Sequence, residues 1–212
     1  MDLELNGKIV VVTGPAKGMG AAISLGFARE GANLALLGRD TAAIAPVADA
    51  ARAMGVEAEI FACDVTDAAA VQAAVDAVCA RFGGRIDVLV NNAGGVGMRG
   101  RAMRMAYSSS KWGLRGLTKS FALELGPDNV NVNLVAPGMV DGPRFRTKVV
   151  PQVAAQHKVS QAEAARLHAS DYALGRISTD EDVAAATLFL ASERARQITG
   201  VDLPVDGGWA AL

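Results

Sequence analysis

Aromatic residues make up only 5% of this 212-residue chain, cysteine occurs twice, and no apolar run is long enough to cross a bilayer. The last shortage sets aside an integral membrane protein. The N-terminus also lacks a cationic segment leading into an apolar stretch, so the expectation is a cytoplasmic protein. Cys63 and Cys79 sit in apolar surroundings without metal-ligand spacing, which predicts two reduced core thiols rather than a disulfide or a metal site. Neither charge is in excess: the formal net charge is -1, and Lys and Arg are spread along the chain. That excludes a basic stripe for nucleic acid and a polybasic membrane anchor, leaving small molecules or further copies of the chain as partners.

What is present fits one soluble α/β domain over 1–212: 51% hydrophobic and 20% charged residues, with Ala and Gly far outnumbering aromatics. The run Lys8 to Thr13 is rich in β-branched residues and ends in glycines, as a strand buried on both faces does. Gly18 to Gly31 follows as a helix, with Gly31 as its stop. The unit then repeats, with strands at Leu34–Leu37, Ala58–Ala62 and Ile86–Val90 and helices at Thr41–Met54 and Ala68–Phe82. Such alternation predicts right-handed βαβ crossovers and a doubly wound parallel sheet in three layers. Further on, Leu114, Leu117, Phe121 and Leu125 mark a helix face that Gly126-Pro127 ends, and Val130–Val135 reads as a strand. Ser160 to Glu163 and Ser178 to Glu181 have capping-box spacing, announcing helices to about His168 and about Ala191. Val201–Val205 is the last expected strand.

The turn Thr13-Gly14-Pro15-Ala16-Lys17-Gly18-Met19-Gly20 joins the first strand to the first helix. Backbone N–H groups and the helix dipole there favour a pyrophosphate, and glycine is needed because a Cβ would hold the phosphates away. Tyr107 and Lys111 are four residues apart, on one face of a helix, a pattern that taken alone reads as a solvated helix start. A phenol is a poor acid-base group near neutrality, and a neighbouring ammonium helps by favouring the phenolate. Cofactor choice follows from charge. Gly38 and Arg39 stand where an acid binds the ribose hydroxyl of NAD, and Lys17 adds a second cation, so NADP is preferred over NAD. Asp40 argues the other way, and ordinary surface charges are the competing reading of Lys17 and Arg39.

The spacing Thr-Gly-x-x-x-Gly-x-Gly resembles the short-chain dehydrogenase/reductase superfamily, and the likeness continues through Asp64-Val65, Asn91-Asn92-Ala93-Gly94, Tyr107-x-x-x-Lys111, Pro137-Gly138 and Asp206-Gly207-Gly208. The resemblance implies a Rossmann-like fold and hydride transfer between a nicotinamide and a secondary alcohol or ketone, of 3-oxoacyl type or another small carbonyl compound. It implies that Asp64 and Val65 edge the adenine, that Asn91, Ala93 and Gly94 back the cofactor, that Lys111 also holds the nicotinamide ribose, and that Pro137, Gly138 and Val140 meet the nicotinamide. By the same resemblance, Met139, Phe145 and the stretch to Ala169 form a substrate lid. Asp141 to Arg144 departs from the family's frequent Thr after Pro-Gly, while Arg144 and Arg146 are either contacts for an anionic substrate or solvated charges. His157 and His168 read as surface histidines.

Only twelve residues, Gly95 to Ala106, separate Gly94 from Tyr107. The family places a helix, a strand, an Asn that relays protons and a Ser that binds the substrate oxygen in that interval. Counting back thirteen residues from Tyr107, where that Ser belongs, lands on Gly94. Both flanks are intact and abut, the pattern of a lost block of roughly forty to fifty residues. The expected sheet is therefore one strand and one helix short, and Val130–Val135 either closes up beside Ile86–Val90 or leaves a gap whose unpaired backbone groups make closing up the favoured outcome. The usual dimer helix is absent too, so a homo-oligomer is open. The alternative function is a dinucleotide-binding remnant without turnover.

Overall fold

The computed structural model describes residues 2–92 and 105–211. The chain divides into two compact units, 1–94 with 187–195 and 95–186 with 196–212. Ala93 and Gly94, both expected at the cofactor, lie outside the described residues.

In the first unit, β1 (Ile9–Thr13), β2 (Asn33–Gly38), β3 (Ala58–Ala62) and β4 (Val88–Val90) form one parallel sheet in the order β3-β2-β1-β4. The register sets Val11 beside Ala35 and Leu89. β1 is buried along its length and Val10, Val12, Leu34, Ala35 and Leu36 are completely covered, which is why these stretches read as unbroken apolar runs. Helices α1 (Gly18–Arg29), α2 (Thr41–Arg52) and α3 (Ala68–Arg81) make the crossovers. Asp40 and Asp67 cap α2 and α3 by accepting from Ala43 N and Ala69 N, and Gly31, at φ +79°, follows the end of α1. Phe27 anchors α1 at 0% exposure. The cysteines are free thiols, Cys63 buried and Cys79 half-buried.

The second unit contains α4 (Met105–Leu125), β5 (Leu134–Pro137), α5 (Val150–His157), α6 (Gln161–Ala169) and β6 (Asp202–Val205). Helix α7 (Asp180–Ala191) carries the boundary between the units. β5 and β6 pair in parallel, Leu134 beside Asp202 and Pro137 beside Val205. Phe145, Val150 and Ala164 pack with Met139, Val153 and Ile177 to form the local core. Among the described residues no helix is long and apolar enough to cross a membrane.

Several expectations are corrected. The strand expected at Val130–Val135 begins only at Leu134. Asn133 takes the hydrogen bonds of Ile198 O and Val201 N with its side chain, and Val132 N donates to Thr199 Oγ1, so side chains replace ladder bonds there. Among the described residues β5 has β6 as its ladder partner and is not paired with β4. Among the described residues β4 pairs with β1 alone, and Leu89 is 58% exposed. On α4 the buried residues are Thr118 and Ala122, whereas Leu117 and Phe121 stay exposed. A small side chain is needed where Ala122 lies next to Gly200. The Ser160 cap forms as expected, but the second box is one residue later: Thr179 and Asp182 exchange bonds while Ser178 Oγ donates to Val205 O. α5 was not anticipated. It enters from a π-type turn at Phe145–Val149 with no side-chain cap, and Pro151 in its first turn is the signal that marks it.

Burial sets two unequal costs. Phe27→Ala is expected to remove about 3–5 kcal/mol of stability, whereas Leu89→Ala removes under about 1 kcal/mol, both read from urea midpoints. A Leu89→Ala loss as large as that of Phe27→Ala would show that the outer side of β4 is covered.

Candidate active site

The turn after β1 is held from three sides. Gly14, at φ +66°, donates its N–H to Leu37 O at the end of β2, and Gly18 has φ +57°. Asn92 Nδ2 donates to Gly14 O at 3.0 Å and to Thr13 O at 3.3 Å, while Asn92 N donates to Thr13 Oγ1 at 3.1 Å. A Cβ on Gly20 would lie 2.2 Å from Gly14 O and 2.6 Å from Asn92 Nδ2, so only hydrogen fits. α1 starts after Lys17 with no side-chain cap and no acidic residue in its first turn, which comprises Gly18, Met19 and Gly20. Uncapped amides at a positive helix end suit an anion, and the donor set fits a pyrophosphate. Asn92 is the residue that sequence reasoning undervalued. It is the clamp of this turn.

Around the turn, Lys17 and Arg39 are exposed cations. Asp40, the carboxylate that argued for NAD, is engaged in capping α2. Asp64 accepts from Thr66 N at 3.0 Å and Thr66 Oγ1 at 2.8 Å. Those bonds hold its carboxyl below the usual carboxylate range, with a further contribution from Arg39. Val65 is half exposed. Asn91 is exposed at the end of β4.

In the second unit, Tyr107 and Lys111 share a face of α4. Lys111 Nζ lies 5.6 Å from the centre of the Tyr107 ring, which is 44% exposed, and Ser110 Oγ folds back on Tyr107 O. The segment Pro137–Val140 leaves β5 under tight control: Gly138 N donates to Val205 O, Met139 N to the Tyr172 hydroxyl, and Ser178 N to Met139 O. A Cβ on Gly138 would come within 2.9 Å of Asp206 Cβ, so this glycine has a packing reason as well as its expected place at a nicotinamide. Val140 bridges Ser178. Arg146 is paired with Asp141 through two hydrogen bonds, which lower the Asp141 carboxyl, while Arg144 is exposed. His157 is exposed as expected, but His168 is half-buried between Phe145 and Tyr172, ring centres 5.3 and 5.9 Å away.

The motif description "short chain dehydrogenase" matches residues 8–101 and "Enoyl-(Acyl carrier protein) reductase" matches 96–210. D-threitol dehydrogenase of Mycolicibacterium smegmatis is 34% identical, over 98% of this chain and 95% of its own length. The chain belongs to the short-chain dehydrogenase/reductase family. Its family is one of nicotinamide-dependent oxidoreductases. Among solved structures, NAD+-bound xylitol dehydrogenase superposes with a TM-score of 0.86 at 28% identity, covering 97% of this chain and 100% of that one. L-Sorbose reductase from Gluconobacter frateurii, complexed with NADPH and L-sorbose, also gives 0.86, at 27% identity and 100% of both chains. The alignment to the threitol enzyme runs over 271 positions against 212 residues here, so at least 59 of its positions (271 minus 212) have no residue of this chain opposite.

Gly20→Ala is expected to weaken NADPH binding by at least roughly tenfold and to cost about 1–3 kcal/mol through overpacking, measured by fluorescence titration and urea unfolding. An unchanged affinity would show that the turn does not hold the dinucleotide. For Asp64 the folded carboxyl titrates lower than in the unfolded chain, so its contribution to stability is present above the unfolded value and is lost as pH falls through the folded one. Thr66→Ala removes the hydroxyl donor and is expected to move the Asp64 titration upward in carbon-detected NMR. No movement would assign the effect to other groups.

Proposed function

We propose that the whole chain, 1–212, works as an NADP-dependent oxidoreductase interconverting a secondary alcohol and its ketone, with 3-oxoacyl-type or other small carbonyl compounds as the substrate class. The carrying observation is the Tyr107–Lys111 pair, with the ammonium beside an accessible phenol. A bound nicotinamide supplies the hydride in reduction and takes it up in oxidation. Tyr107 gives its phenolic proton to the substrate oxygen as the carbonyl carbon is reduced, and recovers it in the reverse direction. Lys111, one turn further along α4, holds the nicotinamide ribose. Gly14, Gly18, Met19 and Gly20 receive the pyrophosphate, Asp64 and Val65 the adenine, Asn91 backs the cofactor, and Pro137, Gly138 and Val140 meet the nicotinamide.

The NADP preference is supported by Lys17 and Arg39 being exposed and by Asp40 being occupied at the α2 cap. The free thiols Cys63 and Cys79 support a reducing compartment such as the cytoplasm. The two motif matches meet at 96–101, inside the short interval before Tyr107, and the threitol-enzyme alignment is longer than this chain, which supports a block missing from it. That interval favours the second reading, a dinucleotide-binding protein without turnover, since it lacks the Ser that binds the substrate oxygen and the Asn of the proton relay.

Intact mass, followed by NADPH titration beside a ketone-reduction panel, separates the two. Turnover with Tyr107→Phe slower by about 10²–10⁴ and NADPH affinity unchanged is the expected result. NADPH binding without reduction of any carbonyl in the panel would establish the second reading. Lys17→Ala/Arg39→Ala is expected to reduce the NADPH-over-NADH preference by about tenfold, and tighter NADH binding in the unaltered protein would refute the cofactor assignment.

A further inference from the structure

Asp202 opens β6 with its side chain only 7% exposed. Its Oδ2 accepts from Arg115 Nε at 2.8 Å and lies 3.8 Å from Lys119 Nζ. Lys119 Nζ also donates to Gly200 O at 2.8 Å, just before the strand. Oδ1 is buried with no hydrogen-bond partner among the described residues. A carboxylate with one oxygen buried and unsatisfied is a poor stabilising device, and apolar side chains of similar volume in place of such a pair often leave a protein equally or more stable. Stability therefore does not account for the residue.

Its partner cation does. Tyr107, Lys111, Arg115 and Lys119 follow one another at intervals of four along α4, each about 40° round the helix from the one before, with Arg115 about 6 Å beyond Lys111 and about 12 Å beyond Tyr107 along the axis. Arg115 is held from two sides, by Asp202 and by the Trp112 ring, whose centre is 4.4 Å from the guanidinium carbon. A weakly screened ion pair at that position resists rotation of the helix about its own axis. β6 in turn pairs with β5, whose end runs into Pro137–Val140. One strand pair thus carries that segment and the anchor of the tyrosine helix.

We propose that Asp202 is a positioning residue for Tyr107 and Lys111: through Arg115 it fixes the rotation of α4 against β6 and so presents the phenol and ammonium in one orientation. The inference rests on reading those two residues as the acid-base pair. Asp202→Asn is expected to lower kcat for carbonyl reduction roughly tenfold to a hundredfold, with KM changed by less than about twofold. Asp202→Glu restores kcat to within about threefold of the unaltered enzyme. The double variant Asp202→Leu/Arg115→Leu keeps or raises the thermal midpoint yet stays as slow as Asp202→Asn. An unchanged kcat in folded Asp202→Asn overturns the proposal, as does a double variant with full activity.

A second readout needs no turnover. The chain has two tyrosines, Tyr107 and Tyr172, so tyrosine labelled with carbon-13 at Cζ gives two NMR signals, assigned with Tyr107→Phe. Asp202→Asn is expected to displace or broaden the Tyr107 signal and leave that of Tyr172 in place. A Tyr107 signal that stays put overturns the proposal, and so does equal displacement of both. Displacement of Tyr107 alone in a protein that reduces no carbonyl would uphold the positioning role and reject the acid-base reading.

Discussion

At the mouth of β1 two stretches of backbone lie too close for any side chain between them, and the dinucleotide site proposed for the first unit depends on that approach. Gly20 can sit against Gly14 O only as glycine. The carbonyls thus brought together would repel a phosphate, but Asn92 Nδ2 occupies those of Thr13 and Gly14. What the turn still has to offer is donors, the amides of an uncapped helix start. The anion preference follows from which backbone groups have been used up, as much as from which remain.

The second unit solves a different problem, holding a loop and a helix in fixed poses without a large sheet. Pro137–Val140 is tied by Val205, Tyr172 and Ser178, each through a backbone atom of the segment, so its course is insensitive to the side chains it carries. α4 has few apolar anchors: its buried residues are a Thr and an Ala, and the ion pairs of Arg115 and Lys119 with Asp202 add to its attachment. Packing alone would leave such a helix free to roll. The Asp141–Arg146 pair, by contrast, is exposed on the Arg side and adds little beyond local order.

The first half of the chain was legible because its signals are local. Buried parallel strands are unbroken β-branched runs, and Asp40, Asp67 and Gly31 mark helix ends within two residues of the expected ones. The second half depends on distant partners. Val130, Val132 and Leu134 alternate as a strand does, yet Asn133 uses its amide to take the place of ladder bonds. Ser178 and Thr179 are equally good caps by type, and a bond to Val205 O draws Ser178 away. On α4 the expected apolar face is covered only in part, Leu114 and Leu125 half-buried and Leu117 and Phe121 exposed, while Thr118 and Ala122 are buried. Of the site, the glycine turn and the Tyr-Lys pair could be read directly. Asp202 could not, since its partner is 87 residues away and a carboxylate in a strand looks like an ordinary surface charge.

The short β4 has a consequence for how the protein behaves in company. A strand whose outer side lacks a ladder partner is a template on which foreign backbone can add, the first step of edge-to-edge aggregation. Among the described residues that outer edge spans Val88–Val90. Three residues extend only about 10 Å, less than an ordinary strand needs to grip another. The apolar side chain of Leu89 is exposed there, but the edge stops before it can seed a growing sheet. Brevity here does the protective work that charges or a covering helix do on longer edges.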